Sequence, residues 1–424
     1  MITKKNLLVV SFALFSLFFG AGNLILPPQL GFRSGDFWWL VTLGFCLSAV
    51  FIPILGIVAH AKLQGTLFDF GKKVSPTFSL IYCYLVYAIS IGLPSPRTAS
   101  VTHEMGIAPF FETSSLLTSV IYFGLVFLFV INRSKILDAL GKVLTPAIIL
   151  ILVCMIFRAL FGYEFDFGKN QLENPFSSGI LEGYQTFDAI GAVVVGGVII
   201  ISINLKNDQI PYRDKKRAIS KAGLFSGLGL FFIYTGLVLT GALFHGQFDD
   251  GISRTALLSG ISLKTLGNTA NLFLSILVGL ACFTTAVGIV TGTADFVKAQ
   301  FQNTKRAYLI TAVIGCVLGV VMGQFNVGYI IAVALPALMF IYPITIVLIL
   351  LNVLPEKYAS KKVFQWVVVT TIIFSVPDFL GSIGLGEATQ DFVKWIPLSE
   401  FQMGWVLPAL LVFLITNILS TKSQ

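Results

Sequence analysis

The first apolar run of the chain, Asn6 to Leu30, is long enough to cross a bilayer. It carries Phe19-Gly20-Ala21-Gly22-Asn23 at its centre and Pro27-Pro28 in its far half. Glycine weakens a helix and proline removes a backbone donor, so the run predicts amide and carbonyl groups without helical partners at mid-depth. Lipid cannot satisfy them, and such a break is tolerated only where it faces protein, water or a ligand. Two readings follow. A discontinuous helix offers dipoles and free backbone groups at the midplane, where secondary transporters bind substrate and coupling ion. Alternatively, the glycines admit a neighbouring helix and the segment only kinks.

Composition sets the class. Of 424 residues, 56% are hydrophobic and 11% charged, with a mean hydropathy of +0.89; a soluble domain has about 25% charged residues. The prediction is an all-α polytopic membrane protein. Runs of about 20 residues, the length that crosses the hydrocarbon core, give about 12 transmembrane helices, centred near Gly20, Ala49, Ile89, Gly124, Ile151, Gly191, Phe231, Cys282, Cys316, Met339, Ile372 and Leu411.

With the N-terminus in the cytoplasm, 21 of the 28 Lys and Arg residues fall on inward segments and five on outward loops, while Arg97 and Arg158 lie in or near spans. The positive-inside rule therefore predicts cytoplasmic N- and C-termini. The net charge of +8 reads as topology, not as a nucleic-acid surface. The Lys206 to Lys221 cluster either meets anionic membrane lipid or is a solvated loop. No small-residue cleavage site follows the first run, which is expected to stay in the protein. Cys46, Cys83, Cys154, Cys282 and Cys316 all fall inside predicted spans without a CxxC pair, so neither a disulfide framework nor a zinc site is expected. His60, His103 and His245 lie near predicted helix ends and read as ordinary interfacial histidines.

The sixth run is also irregular. Glu182-Gly183-Tyr184-Gln185-Thr186-Phe187-Asp188-Ala189-Ile190-Gly191 leads into a valine run with Gly196-Gly197. A carboxylate and glycine inside an apolar span point to an ion, a substrate or water; a helix starting later would instead leave Asp188 at the outer interface. If helices one and six are equivalent, residues 1–161 form one five-helix repeat and 178–352 a second, with 362–424 holding helices 11 and 12. An odd number of helices per repeat makes the repeats inverted. Helix eight adds Ala281-Cys282-Phe283-Thr284-Thr285, a carbonyl and two hydroxyls within about one turn. Such neutral oxygens suit a small alkali cation, although Thr-Thr also commonly makes a helix-to-helix hydrogen bond.

Four stretches carry a family resemblance: FFGAGNLILPP (Phe18 to Pro28), PRTASVTHEMGIAP (Pro96 to Pro109), GYQTFDAIGAVVVGGVII (Gly183 to Ile200) and ACFTTAVGIVTGTADF (Ala281 to Phe296). In order and spacing they resemble the bacterial branched-chain amino acid:cation symporters, the leucine, isoleucine and valine carrier system II. The resemblance implies cation-coupled import of those amino acids across the bacterial cell membrane. It also implies the five-plus-five inverted repeat of the amino acid–polyamine–organocation superfamily.

In related sodium-coupled carriers a Gly-x-Gly-Asn break, matched here by Gly20, Ala21, Gly22 and Asn23, holds the substrate carboxylate. The resemblance places sodium-binding carbonyls at Ser16 and Phe19, completed by Ala281, Thr284 and Thr285. The substrate ammonium is then expected at helix-six carbonyls around Ala189 and Gly191 or at the Asp188 carboxylate. Arg97 reads as a gate or structural ion pair, or as a carboxylate ligand if helix three is long and tilted. The chain departs from the family pattern at Ile91 to Ser95, Thr102-His103-Glu104 and Val194 to Gly197.

No paired catalytic carboxylates, nucleophile set or metal-ligand cluster is apparent, so the chain is not expected to be an enzyme or to hold a cofactor beyond a coupling ion. A proton-coupled carrier or exchanger of neutral amino acids is the alternative within transport. A transporter-like sensor lacks the soluble output segment it would normally carry.

Overall fold

A computed structural model describes residues 4–132, 136–194, 196 and 211–421. The first span is two helices, α1 (Lys4–Phe18) and α2 (Ala21–Ser34). The second is α3 (Trp38–Cys46), a π-helical turn (Leu47–Phe51) and α4 (Ile52–Leu63); a short α5 (Leu67–Gly71) follows. The third joins α6 (Pro76–Gly92), α7 (Pro94–Thr102) and another π-helical turn (His103–Ile107). Spans four and five are α8 (Ser115–Asn132) and α9 (Ile136–Gly162). The sixth is α10 (Pro175–Tyr184) and α11 (188–194). Then come α12 (Tyr212–Leu243), α13 (Arg254–Gln300), α14 (Lys305–Gly323), α15 (Val327–Val353), α16 (Lys361–Ser382), a short α17 (Gln390–Val393) and α18 (Val406–Thr421).

Among the described residues nine helices are long and apolar enough to cross a membrane, and Val406–Leu419 is a shorter apolar helix. The first of the nine, Gly22–Leu63, joins the second half of span one to span two. The described halves of span six, 175–184 and 188–194, are each too short to qualify. Once these are separated, the helices fall on the twelve predicted centres.

Polar residues mark where several spans begin. Ser75, Ser253, Asn326 and Ser360 each accept an amide hydrogen bond from three residues on, starting α6, α13, α15 and α16. Between such caps the helices are predominantly apolar, as membrane spans must be. On α8, Leu117, Ile121, Leu125 and Leu128 form an exposed face, while Phe123, Val126 and Val130 are buried. Span eight occupies only part of α13, because Gly267 leaves the helical region (φ 84°, ψ 178°) and separates residues 254–266 as an arm.

The helix contacts repeat with a shift of five spans. Span one packs on seven and span six on two; span five packs on eight and span ten on three; four packs on nine. That pairing is the one an inverted five-plus-five repeat generates. Close backbone approach makes two of these contacts possible. A Cβ on Gly31 would lie 1.8 Å from the Val238 carbonyl oxygen of α12, and one on Gly241 would lie 1.9 Å from the Pro28 oxygen of α2. Likewise, a Cβ on Gly44 of α3 would lie 2.1 Å from the Phe176 oxygen of α10.

Two expectations need correction. Pro27 and Pro28 lie inside α2 and do not interrupt it; the Pro28 backbone is packed closely against Gly241 of α12, so tertiary packing overrides the local cost of the prolines. His60 is not interfacial. It is fully buried, its Nε2 lies 2.8 Å from the Val193 carbonyl of α11, and its ring meets Phe70 edge-on, because span two runs against the second half of span six. Val195, Gly197 and residues 206–210 of the basic cluster lie outside the described residues.

Gly31→Ala is expected to lower thermal stability in detergent by about 1–3 kcal/mol, the usual cost of overpacking. Gly124→Ala, whose added Cβ meets nothing within 4 Å, should leave stability unchanged or slightly raised. Equal melting temperatures for the two variants would contradict the close α2–α12 packing.

Candidate functional site

The break in span one is confined to Phe19 and Gly20. Gly20 is extended (φ −101°, ψ −175°), and its N–H points to the Phe18 carbonyl at 3.0 Å, not to the Ser16 carbonyl four residues back. The carbonyl end of α1 therefore faces the amide end of α2 across two residues. The first amides of α2 belong to Ala21, Gly22 and Asn23, and a helix start of this kind favours an anion. The end of α1 favours a cation.

Span six breaks at Gln185, Thr186 and Phe187. The chain turns through a positive φ of 63° at Phe187, an uncommon conformation for a bulky residue that neighbouring structure must hold. Thr186 Oγ1 accepts the Asp188 N–H at 3.2 Å, and the Tyr342 hydroxyl accepts the Ala189 N–H at 3.2 Å. Ala189 and Gly191 lie inside α11, so their carbonyls face along that helix and the break itself precedes Asp188.

Asp188 is 4% exposed and stands at the start of α11, which removes the alternative of an idle residue at the interface. Its Oδ2 accepts hydrogen bonds from Asn23 Nδ2 at 2.6 Å and from the Tyr234 hydroxyl at 3.4 Å. The Asn23 amide also donates to the Tyr234 hydroxyl. One carboxylate thus ties α2, α11 and α12 together. A buried carboxylate requires such donors, since an unpaired one would cost several kcal/mol.

Arg97 reaches the same depth because span three is not a single tilted helix. It pauses at Leu93, and Pro94 starts α7 with Arg97 in its first turn. Arg97 is 4% exposed; its guanidinium donates through Nη1 to the Gln185 carbonyl at 2.8 Å and lies 5.3 Å from the centre of the Phe187 ring. A Cβ on Gly22 would come within 2.6 Å of Arg97 Nη2. Arg97 therefore bridges the two breaks.

The five residues expected around a cation also meet. Ser16, Phe19, Ala281, Thr284 and Thr285 line a cavity of about 20 Å³ together with Leu144, Thr145 and Ile148 of α9. That volume admits roughly one water-sized body. Thr284 and Thr285 both donate to the Ala281 carbonyl, at 3.0 and 2.9 Å, and Ser16 Oγ lies 2.7 Å from Thr145 Oγ1. Each hydroxyl oxygen retains lone-pair capacity while donating, so the lining fits a hard monovalent cation. Phe19 links the two regions: it lines the cavity and stacks on Tyr234 at 6.4 Å.

Toward the end away from the basic loops, the site is roofed. Arg254 Nη2 lies 2.8 Å from Glu182 Oε1, Glu104 Oε1 accepts the Val327 N–H at 2.8 Å, and the Thr255 hydroxyl donates to Glu104 Oε2. The start of the α13 arm is thereby joined to α10, span three and α15. Sequence reasoning missed Tyr234, Thr145 and Gln185. A tyrosine in the apolar FFIYTG run and a threonine preceding Pro146 were the available signals.

Two discontinuous spans around a buried polar centre define a membrane transporter fold. The chain is similar to Mhp1, a nucleobase-cation-symport-1 family transporter, in its closed form with bromovinylhydantoin bound. The TM-score is 0.64 at 12% identity, covering 98% of this chain and 92% of that one. It is also similar to MhsT in complex with L-phenylalanine (TM-score 0.57, 14% identity, 99% and 98% covered). The family described as branched-chain amino acid transport protein matches residues 3–423, and this chain belongs to it. Among its relatives, the branched-chain amino acid permease BraB of Bacillus subtilis is 31% identical, over 98% of this chain and 96% of that protein. The branched-chain amino acid transport system 2 carrier protein of Pseudomonas aeruginosa is also 31% identical, over 95% and 93%.

Tyr234→Phe retains the ring but removes the hydroxyl shared by Asp188 and Asn23. Substrate binding by the purified variant is expected to weaken about tenfold, the scale of one hydrogen bond to a charged group. Wild-type affinity would show that the cluster does not shape the site.

Proposed function

We propose that this protein imports leucine, isoleucine and valine across the bacterial cell membrane by sodium symport, through alternating access. The observation that carries the reading is that one break serves two sites. Ser16 and Phe19 at the carbonyl end of α1 line a cation-sized cavity with Ala281, Thr284 and Thr285, while the amide end of α2 opens beside Arg97 and Asp188. Ion and substrate occupancy would then each stabilise the same arrangement of span one, which is the requirement for symport.

The cargo reading is supported by the names of the relatives and by the chemistry of the breaks. A zwitterionic amino acid has a carboxylate for the amides of Ala21 to Asn23. It has an ammonium for Asp188 or the carbonyls that end α10. One methylene in an apolar pocket is worth about 1–3 kcal/mol, so the three branched side chains should compete with one another. Sodium is favoured because the cavity lining is neutral oxygen and apolar carbon, whereas a divalent ion would call for carboxylates. The buried Asp188 favours a second reading, proton coupling. The basic loops support cytoplasmic termini, and the shifted helix contacts support repeats at 1–161 and 178–352, with 362–424 outside them.

Proteoliposomes with an inward sodium gradient should accumulate radiolabelled leucine, with competition from isoleucine and valine and none driven by choline or by a pH gradient alone. Thr284→Ala and Thr285→Ala should each raise the half-saturating sodium concentration by about tenfold, the loss of one oxygen contact. Gly22→Val should abolish leucine binding while preserving sodium-dependent thermal stabilisation. Uptake driven by a pH gradient and indifferent to sodium would overturn the reading.

A further inference from the structure

Arg97 is a buried cation without an adjacent anion. Among the described residues no Asp or Glu oxygen lies within 4.0 Å of its guanidinium. Among the described residues its guanidinium makes one hydrogen bond to the backbone, Nη1 to the Gln185 carbonyl at 2.8 Å, which leaves most of the five guanidinium donors for other partners. Removing such a charge from water costs several kcal/mol, and a neutral carbonyl with an aromatic ring repays only part of it. Asp188 is within electrostatic range, yet its Oδ2 is already committed to Asn23 and Tyr234. The site therefore has a positive pole lacking a direct counter-ion. Arg97 Nη2 stands against Gly22, beside the anion-favouring start of α2.

We propose that Arg97 is the receptor for the substrate carboxylate, acting with the first amides of α2, and that Arg97 and Asp188 together select zwitterions. This rests on the amino acid cargo proposed above and adds what rejects near relatives of that cargo. A branched amine lacking the carboxylate leaves Arg97 without its anion and brings a second cation near it. A branched oxo acid lacking the ammonium leaves Asp188 without a counter-ion. Gln185 is a positioning residue here: its carbonyl, freed by the span-six break, orients the guanidinium so that Nη2 faces Gly22. Lysine would not replace Arg97 fully, because a point charge cannot donate to Gln185 and a carboxylate in one plane.

The test is competition against radiolabelled leucine on purified full-length protein in sodium buffer, using leucine, 3-methylbutylamine and 4-methyl-2-oxopentanoate. For the wild type, 3-methylbutylamine should compete at least about 100-fold more weakly than leucine, the scale of one buried charge pair. In Arg97→Gln, leucine should weaken by a similar factor while the amine does not, so the ratio between them collapses toward one. A merely structural role would weaken both ligands together and leave the ratio intact. Sodium-dependent thermal stabilisation reports whether Arg97→Gln folds. If it does not, Arg97→Lys should show an intermediate ratio, and a wild-type ratio in that variant would overturn the proposal. An unchanged ratio in folded Arg97→Gln, or wild-type protein that binds the amine as tightly as leucine, would overturn it as well. Wild-type protein that does not bind leucine would overturn the cargo assignment and this proposal with it.

Discussion

The two-residue interruption of span one at Phe19–Gly20 is the constraint on which the rest of the architecture depends. Inside a membrane a helix end is costly unless something satisfies it, and here two ends of opposite polarity meet. The end of α1, at Ser16 and Phe19, lines a small cavity with Ala281, Thr284 and Thr285 of span eight. The amide end of α2 opens toward Arg97 and the Asp188 cluster. Because α2 must come close to α12 for Asn23 to meet Tyr234 and Asp188, the glycine contacts at Gly31 and Gly241 become necessary to the site as well as to the packing.

Span six answers the same constraint differently. Span one breaks at a glycine, whereas span six breaks around Phe187 in a left-handed conformation, held by Arg97 beneath its ring and by Thr186 capping the next helix. Some backbone strain is thus placed at the junction of the two helix halves. The roof formed by Arg254–Glu182 and by Glu104 lies over one side of this centre, and Ser16–Thr145 ties α1 to span five on the cavity side. Alternating access requires contacts of this kind to form and break in turn.

Much of this was legible in the sequence because membrane spans obey few rules. Run length gave the span count, and glycine, asparagine and aspartate in apolar runs gave both breaks. The proline pair misled: Pro27 and Pro28 are strong breakers in isolation, yet inside α2 the helix runs on through them. His60 misled for the opposite reason, since nearness to a helix end in sequence did not reveal that span six covers it. Ser16, Phe19, Ala281, Thr284 and Thr285 were placed by resemblance and the fold brings them to one cavity. Thr145, Tyr234 and Gln185 stayed hidden because their roles arise from contacts between distant spans, which no local pattern encodes. The depth of Arg97 depended on a pause at Leu93 that a continuous-helix reading overlooks.

On the proposed reading a shared break would make ion and substrate binding reciprocal, and equilibrium binding tests this most directly. Leucine affinity of the purified protein would be measured across sodium concentrations, and sodium affinity across leucine concentrations. Sodium should tighten leucine binding by the same factor by which leucine tightens sodium binding, as linkage demands, and Thr285→Ala should shrink both factors together. Leucine affinity that is the same in sodium and in choline would contradict a cation site coupled to the substrate site through span one.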